Sequence, residues 1–216
     1  MKIKSMSQTI PLYQLISVTP HMLLAQKHKQ LFNNFAEVNQ PLYPQTHKVL
    51  FTDRDDTIND DGAGYLHKYQ EMEIFPHAYQ ALKAKQDQGY LIVVVTNQSG
   101  ISKNKFTEAD FIQCMNDMAA HAYAQTGLIF DAVLYCKTSD PSEPWRKPNL
   151  ETFNEFTHLF NVDKASSYMM GDKEFDIQYG QNLGICTIAV KTGKSVCTDA
   201  DYVIDSIADL DNLEFK

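Results

Sequence analysis

From residue 48 onward the chain alternates between short apolar runs and longer stretches in which apolar residues recur every three or four positions. Runs rich in β-branched and aromatic residues lie at 48–52, 90–95, 131–135, 166–170, 185–190 and 201–204, each with the length and composition of a strand. Between them, 76–88, 107–125, 149–160, 174–183 and 206–213 carry the helical period. In "TEADF" at 107–111, Asp110 stands three residues after Thr107, the spacing of a capping box at a helix start. Strands separated by helices predict right-handed crossovers, hence an α/β fold with a mostly parallel central sheet and helices on both faces. In such sheets ligands bind outside the carboxyl ends of the strands.

Residues 1–47 read differently. They contain Pro11, Pro20, Pro41 and Pro44, and Glu37 is their only acidic residue. Between the prolines, "HMLLAQKHKQLFNNFAEV" at 21–38 places Leu24, Leu31, Phe32 and Phe35 at helical spacing, which predicts one helix. The chain thus divides into an N-terminal extension, 1–47, and a main domain, 48–216. The extension reads as a helix packed on the main body or as an oligomer contact or partner-docking arm.

Composition narrows the class. A chain of 216 residues, 44% hydrophobic and 21% charged, suits one globular domain. A net charge of −8 opposes a general nucleic-acid-binding surface. Cys114, Cys136, Cys186 and Cys197 are scattered without a C-x-x-C pair and read as reduced thiols. The apolar run "LIVVV" at 91–95 is far too short to span a bilayer, and polar residues and prolines interrupt the start of the chain, making a poor secretory signal. A cytoplasmic location with no membrane partner is expected.

Charge is concentrated where the first main-domain strand ends. Asp53, Asp55, Asp56, Asp60 and Asp61 follow the apolar "KVLFT" within nine residues. Like charges so crowded repel strongly in a low-dielectric site, and a divalent cation would offset that repulsion. On an extended backbone Asp53 and Asp55 point to the same side while Arg54 turns away. One carboxylate beside a cation can attack phosphorus; a second, two residues on, can protonate the leaving oxygen and later activate water. Alone, "DRDDT" reads equally well as an acidic strand-end turn.

Three further stretches fall at strand carboxyl ends. "LIVVVTNQSGI" at 91–101 ends in Thr96 and Asn97, whose hydroxyl and amide can hold phosphate oxygens, although an ordinary strand-to-loop turn has the same residues. In "EPWRKPNL" at 143–150, Lys147 can neutralise a transferring phosphoryl group and Arg146 can fork onto a substrate phosphate or hydroxyl; solvated surface charge is the plainer reading. "SSYMMGDKEFDIQYGQNLGI" at 166–185 delivers Asp172 as an outer metal carboxylate, with Asp176 one helical turn on. Each stretch alone is modest, but four in this order make coincidence improbable.

The order D-x-D-x-T, a strand ending in Thr, then Lys, then G-D-x-x-x-D resembles the haloacid dehalogenase (HAD) superfamily of phosphohydrolases over residues 48–213. The chain looks closest to a small branch without a large cap domain, which contains heptose bisphosphate phosphatases and the histidinol-phosphatase domain. The resemblance implies a Rossmann-like HAD fold, Asp53 as nucleophile and Asp55 as acid/base. It also implies Mg²⁺ held by Asp53, Asp172 and the Asp55 backbone carbonyl. Thr96, Asn97 and Lys147 would bind the phosphoryl group, and Arg146 would contact substrate. In the loop "NDDGAGYLHKYQEMEIFP" at 59–76, Tyr65, His67 and Lys68 could meet a polyol or a second phosphate.

Two departures stand out. Asp56 occupies a place where relatives usually have Gly. In "YCKTSDPSEPWRKP", 135–148, only Cys136 matches the relatives' structural zinc loop; Thr138, Glu143 and Trp145 stand at the other ligand places. One thiolate cannot make a four-ligand site, so no structural zinc is expected, and Trp145 and the prolines would hold the loop by packing. The expected activity is a Mg²⁺-dependent phosphomonoesterase acting through an aspartyl-phosphate on a small sugar or polyol phosphate, of heptose-bisphosphatase type. Histidinol phosphate and a 3′-phosphorylated polynucleotide remain alternative substrates. A non-catalytic binding module is opposed by the intact set Asp53, Asp55, Lys147 and Asp172.

Overall fold

The structure, a computed structural model, describes residues 10–31, 43–62, 64–193 and 197–213. The strands among them are β1 (Leu15–Thr19), β2 (Met22–Ala25), β3 (Tyr43–His47), β4 (Val49–Thr52), β5 (Asn59–Asp60), β6 (Glu73–Ile74) and β7 (Leu91–Asn97). These are followed by β8 (Ala132–Cys136), β9 (Phe160–Val162), β10 (Tyr168–Gly171), β11 (Cys186–Val190) and β12 (Tyr202–Ile204). The α-helices are α1 (Ala78–Asp87), α2 (Glu108–Thr126), α3 (Glu151–Thr157) and α4 (Glu174–Leu183). Eight strands form one sheet in the order β1-β2-β8-β7-β4-β10-β11-β12. From β8 to β12 every pairing is parallel, as the alternation of strand and helix requires.

The central strands show why their sequences are continuously apolar. Leu50, Ile92 and Val94 face one core, which α1 and α2 cover, while Val49, Phe51, Val93 and Val95 face a second, which includes Phe153, Phe156, Tyr179 and Leu183 of α3 and α4. Alternate residues thus go to opposite layers, so no position in β4 or β7 can be polar until the strand ends. The Thr107–Asp110 capping box forms, with Asp110 N donating to Thr107 Oγ1 at 3.1 Å. Gly127 ends α2 at φ 77°, a left-handed conformation that a side chain would strain. The stretch expected to be a helix at 206–213 is a 3₁₀ turn, Ile207–Asn212, and the helix expected at 149–160 stops at Thr157 because β9 begins at Phe160.

The extension corrects a sequence expectation. "MLLA" is a strand, not helix: β1 and β2 form an antiparallel hairpin, and β2 pairs antiparallel with β8, with Leu23 opposite Val133. A 3₁₀ turn, Gln26–Leu31, follows. Phe32 and Phe35, on which the helical spacing partly rested, lie outside the described residues. Met22 and Leu24 enter one core and Leu23 and Ala25 the other, so both faces of the run are covered, the circumstance in which a strand needs no polar alternation. A buried polar cluster secures the join. Asp131 Oδ1 accepts from Lys27 Nζ at 2.6 Å and from His28 Nε2 at 2.8 Å, and Oδ2 from the Ile92 amide at 2.9 Å. No helix among the described residues is long and apolar enough to cross a membrane.

Candidate active site

β7, β4 and β10 are neighbours and run the same way, so the residues after each meet at one end of the sheet. A cavity of about 320 Å³ opens there, lined by Asp53 and Asp55 after β4, Thr96, Asn97 and Gln98 at the end of β7, and Tyr65 and Lys173. Asp53 is fixed by its own backbone: its amide donates to Met170 O at 2.8 Å, extending the β4–β10 pairing by one residue. Asp56 takes φ 60°, in the left-handed region that glycine adopts most freely. Asp is among the few side-chain-bearing residues that adopt it readily.

Lys147 reaches the floor of the site from the loop before α3. Its Nζ lies 2.6 Å from Asp53 Oδ1, 2.6 Å from Asp176 Oδ1 and 2.5 Å from Val95 O, and it is 2% exposed. Burial alone would lower its pKa; Asp176 and Asp53 outweigh that and raise it. Asp53 is pushed up to about 8, by burial first and then by Asp176, Asp172 and Asp55, against the pull of Lys147. Burial also lifts Asp172 to about 6. These shifts mark a site that crowds anions where water cannot screen them.

Asp53, Asp172 and Asp176 are all buried, and one oxygen from each lies within 4.8 Å of the others. Asp172 Oδ1 is buried without a hydrogen-bond partner, and a Cβ at Gly193 would overlap the Asp172 carboxylate, so the backbone closes over that residue. A hard cation with a preference for carboxylate oxygens fits this donor set, since it would satisfy the orphaned oxygen and offset the repulsion. Among the described residues this is the one group of three candidate ligands so placed.

Of the residues singled out in the sequence, Asp53, Asp55, Thr96 and Asn97 line the cavity, and Lys147 and Asp172 lie behind its lining against Asp53. The Asn97 amide faces the Lys147 backbone instead of standing free: Oδ1 accepts from Lys147 N at 3.0 Å and Nδ2 donates to Lys147 O at 3.2 Å. Arg146 and His67 do not line the cavity. Arg146 Nη1 donates to Thr138 O at 2.9 Å, within its own loop, and His67 stacks on Phe106 with ring centroids 5.1 Å apart. Gln98 was not anticipated; it lies two residues beyond Thr96 and so on the same side of the strand end, which was the available signal. Arg54 turns from the cavity as expected, but its guanidinium curls back onto Asp55. The loop before Lys147 is packed: the Trp145 and His21 rings stack at 4.6 Å and 17°.

Residues 144–210 match the family model described as HAD-hydrolase-like. The D-glycero-β-D-manno-heptose-1,7-bisphosphate 7-phosphatase of Haemophilus ducreyi is 35% identical over 175 residues, 76% of this chain and 96% of that protein. Its counterpart from Pasteurella multocida is 36% identical over 178 residues, 77% and 96% of the two chains. Among solved structures, D,D-heptose 1,7-bisphosphate phosphatase from B. bronchiseptica, complexed with magnesium and phosphate, superposes with a TM-score of 0.67 at 25% identity, covering 74% of this chain and 94% of that one. A HAD-like phosphatase from Mesorhizobium loti also gives 0.67, at 26% identity, over 90% of this chain and 93% of its own, a span too long to be confined to residues 48–216. Sheet order, the convergence of Asp53, Lys147 and Asp172, and relatives aligned over nearly their whole length agree: the chain belongs to the HAD superfamily of phosphatases, in the family of the heptose bisphosphate phosphatases.

Proposed function

We propose that the protein is a Mg²⁺-dependent phosphomonoesterase that removes one phosphate from a sugar bisphosphate of the heptose type. The observation that carries this reading is the ion pair of buried Asp53 with Lys147 beside the oxygens of Asp172 and Asp176. Asp53, Asp172 and the Asp55 backbone carbonyl would hold Mg²⁺, with Asp176 adjacent; when bound, the ion supplies positive charge that lets an anionic nucleophile approach an anionic phosphate. An Asp53 carboxylate oxygen forms a bond to phosphorus as the bond to the sugar oxygen breaks. Asp55 gives that oxygen its proton. Lys147 balances the charge that spreads over the phosphoryl oxygens. Asp55, now a base, takes a proton from water as the water oxygen bonds to phosphorus and the Asp53 link breaks, releasing inorganic phosphate. Thr96 lines the cavity, and its hydroxyl would serve as a phosphate ligand.

The test is phosphate release with Mg²⁺ from a heptose bisphosphate, histidinol phosphate and a 3′-phosphorylated oligonucleotide. The first should be turned over at least about tenfold more efficiently than the others, a discrimination within reach of a site built for one polyol. Asp53→Asn should abolish turnover and leave the circular dichroism spectrum unchanged. Preference for either other substrate would overturn the assignment.

A further inference from the structure

Arg54 is completely buried, and it does not line the cavity. Its guanidinium forks onto Asp55: Nε donates to Oδ1 at 2.9 Å and Nη2 to Oδ2 at 2.8 Å. The fork is itself held, by Leu66 O at 3.0 Å from Nη2, by Met115 Sδ at 3.8 Å from Nη1, and by the Phe111 ring, whose centroid is 5.7 Å from Cζ. Gln98 completes the arrangement from the neighbouring strand end. Its Nε2 donates to Asp55 Oδ2 at 3.0 Å and to Thr96 Oγ1 at 2.8 Å. Asn59 Nδ2 adds a long contact to Oδ1 at 3.4 Å.

Burying a guanidinium costs several kcal/mol unless its partners are well aligned, so a fully enclosed arginine aimed at one carboxylate needs a reason. Stability is a poor one, because an apolar side chain would fill the same core at lower cost. Geometry is a better one. An aspartate on a strand-end turn has two free side-chain torsions, and a planar fork removes both. Gln98 then ties the same carboxylate to the Thr96 hydroxyl on the cavity wall.

We propose that Arg54 and Gln98 are positioning residues that hold Asp55 in line with the leaving oxygen and, later, with the attacking water. This rests on Asp55 being the acid/base of the proposed reaction. The contribution is made through Asp55, and the water step is common to every substrate; kcat/KM, which reports the steps up to departure of the leaving group, isolates the proton transfer that depends on the substrate. A sugar alkoxide is a poor leaving group and needs that proton; 4-nitrophenolate leaves without it.

The experiment compares wild type, Gln98→Ala, Arg54→Lys and Asp55→Asn on the sugar bisphosphate and on 4-nitrophenyl phosphate. Correctly placed general acids contribute roughly 10²–10⁴-fold, and misplacing one should forfeit a large part. Gln98→Ala and Arg54→Lys should each lower kcat/KM on the sugar phosphate by about 30-fold or more. Their losses on 4-nitrophenyl phosphate should be at least about tenfold smaller, the pattern Asp55→Asn also shows. The Mg²⁺ concentration that half-stabilises the protein against heat should not move. If Arg54→Lys does not fold, Gln98→Ala, whose side chain borders the cavity, carries the same comparison. Equal losses of kcat/KM on both substrates, or wild-type kcat/KM in both variants, would overturn the positioning role while leaving the phosphatase reading intact. A wild-type protein that released no phosphate from either compound would overturn that reading, and this inference with it.

Discussion

The Lys147 ammonium lies 2.6 Å from Asp53 Oδ1, with both side chains shut away from solvent. The same nitrogen bridges to Asp176, so one cation ties the end of β4 to the first turn of α4. Lys147→Ala would leave two buried carboxylates without their counter-charge, which typically costs about 3–5 kcal/mol. The expected result is a fall in Tm together with a loss of kcat of roughly 10²-fold or more. Lys147→Arg should not restore either, because a forked guanidinium cannot occupy the one point where Asp53, Asp176 and the Val95 carbonyl converge. Thermal unfolding and steady-state kinetics on both variants check this.

Metal removal should couple to pH. Folding raises the acid groups of Asp172 to about 6 and Asp53 to about 8, above their values in the unfolded chain. The native state therefore holds these protons more tightly, and the metal-free protein should lose stability as pH rises from about 4 through about 8. A cation binds the ionised forms, so Mg²⁺ should stabilise the protein more at about pH 8 than at about pH 5. Asp172→Asn should raise the Tm of the chelator-treated protein at the higher pH and abolish the Mg²⁺-induced shift. A lower Tm for that variant would contradict the account.

Asp131 behaves in the opposite sense. Burial would raise its pKa, but the hydrogen bond from His28 and the charge of Lys27 hold it below the usual carboxylate range. Its stabilisation is thus fully present above the unfolded pKa and is lost as pH falls through the folded one. Asp131→Ala should cost about 3 kcal/mol, or roughly 6–12 °C in Tm. Amides of β1 and β2 should exchange faster in that variant than those of β10 and β11, which hydrogen exchange resolves.

Trp145 is the chain's single tryptophan, so its stack on His21 can be followed directly. His21→Ala should shift the emission spectrum to longer wavelength as the ring gains water. An aromatic stack is worth about 0.5–1.5 kcal/mol, so any effect on KM should stay within about tenfold. kcat should change less, because Asn97 pins the Lys147 backbone independently through two hydrogen bonds. Asn97→Ala should show the reverse pattern, with kcat falling more than KM rises.

What was legible in the sequence was local or periodic. The runs at 91–95 and 185–190 announced β7 and β11, and the two-residue spacing of Asp53 and Asp55 announced a shared cavity wall. β2 was not legible, because four apolar residues carry no period and its partner β8 lies more than a hundred residues away. Residues that work through distant partners were equally hidden. Gln98 meets Asp55 across 43 positions and His28 meets Asp131 across 103, and neither pairing leaves a mark on its immediate neighbours. Arg54 turns from the cavity as alternation requires, but alternation says nothing of where a long side chain ends, and the fork onto Asp55 was hidden for that reason.

The hairpin laid along β8 also decides how the molecule behaves in a crowded solution. All five residues of β8 are buried, so without β2 the strand would present a bare row of amides and carbonyls flanked by valine, leucine and tyrosine. Such a surface recruits strands from other chains, and a protein cut back to its parallel strands should aggregate more readily than the longer one. The hairpin thus moves the sheet's edge from five buried residues to β1, where Ser17 faces solvent.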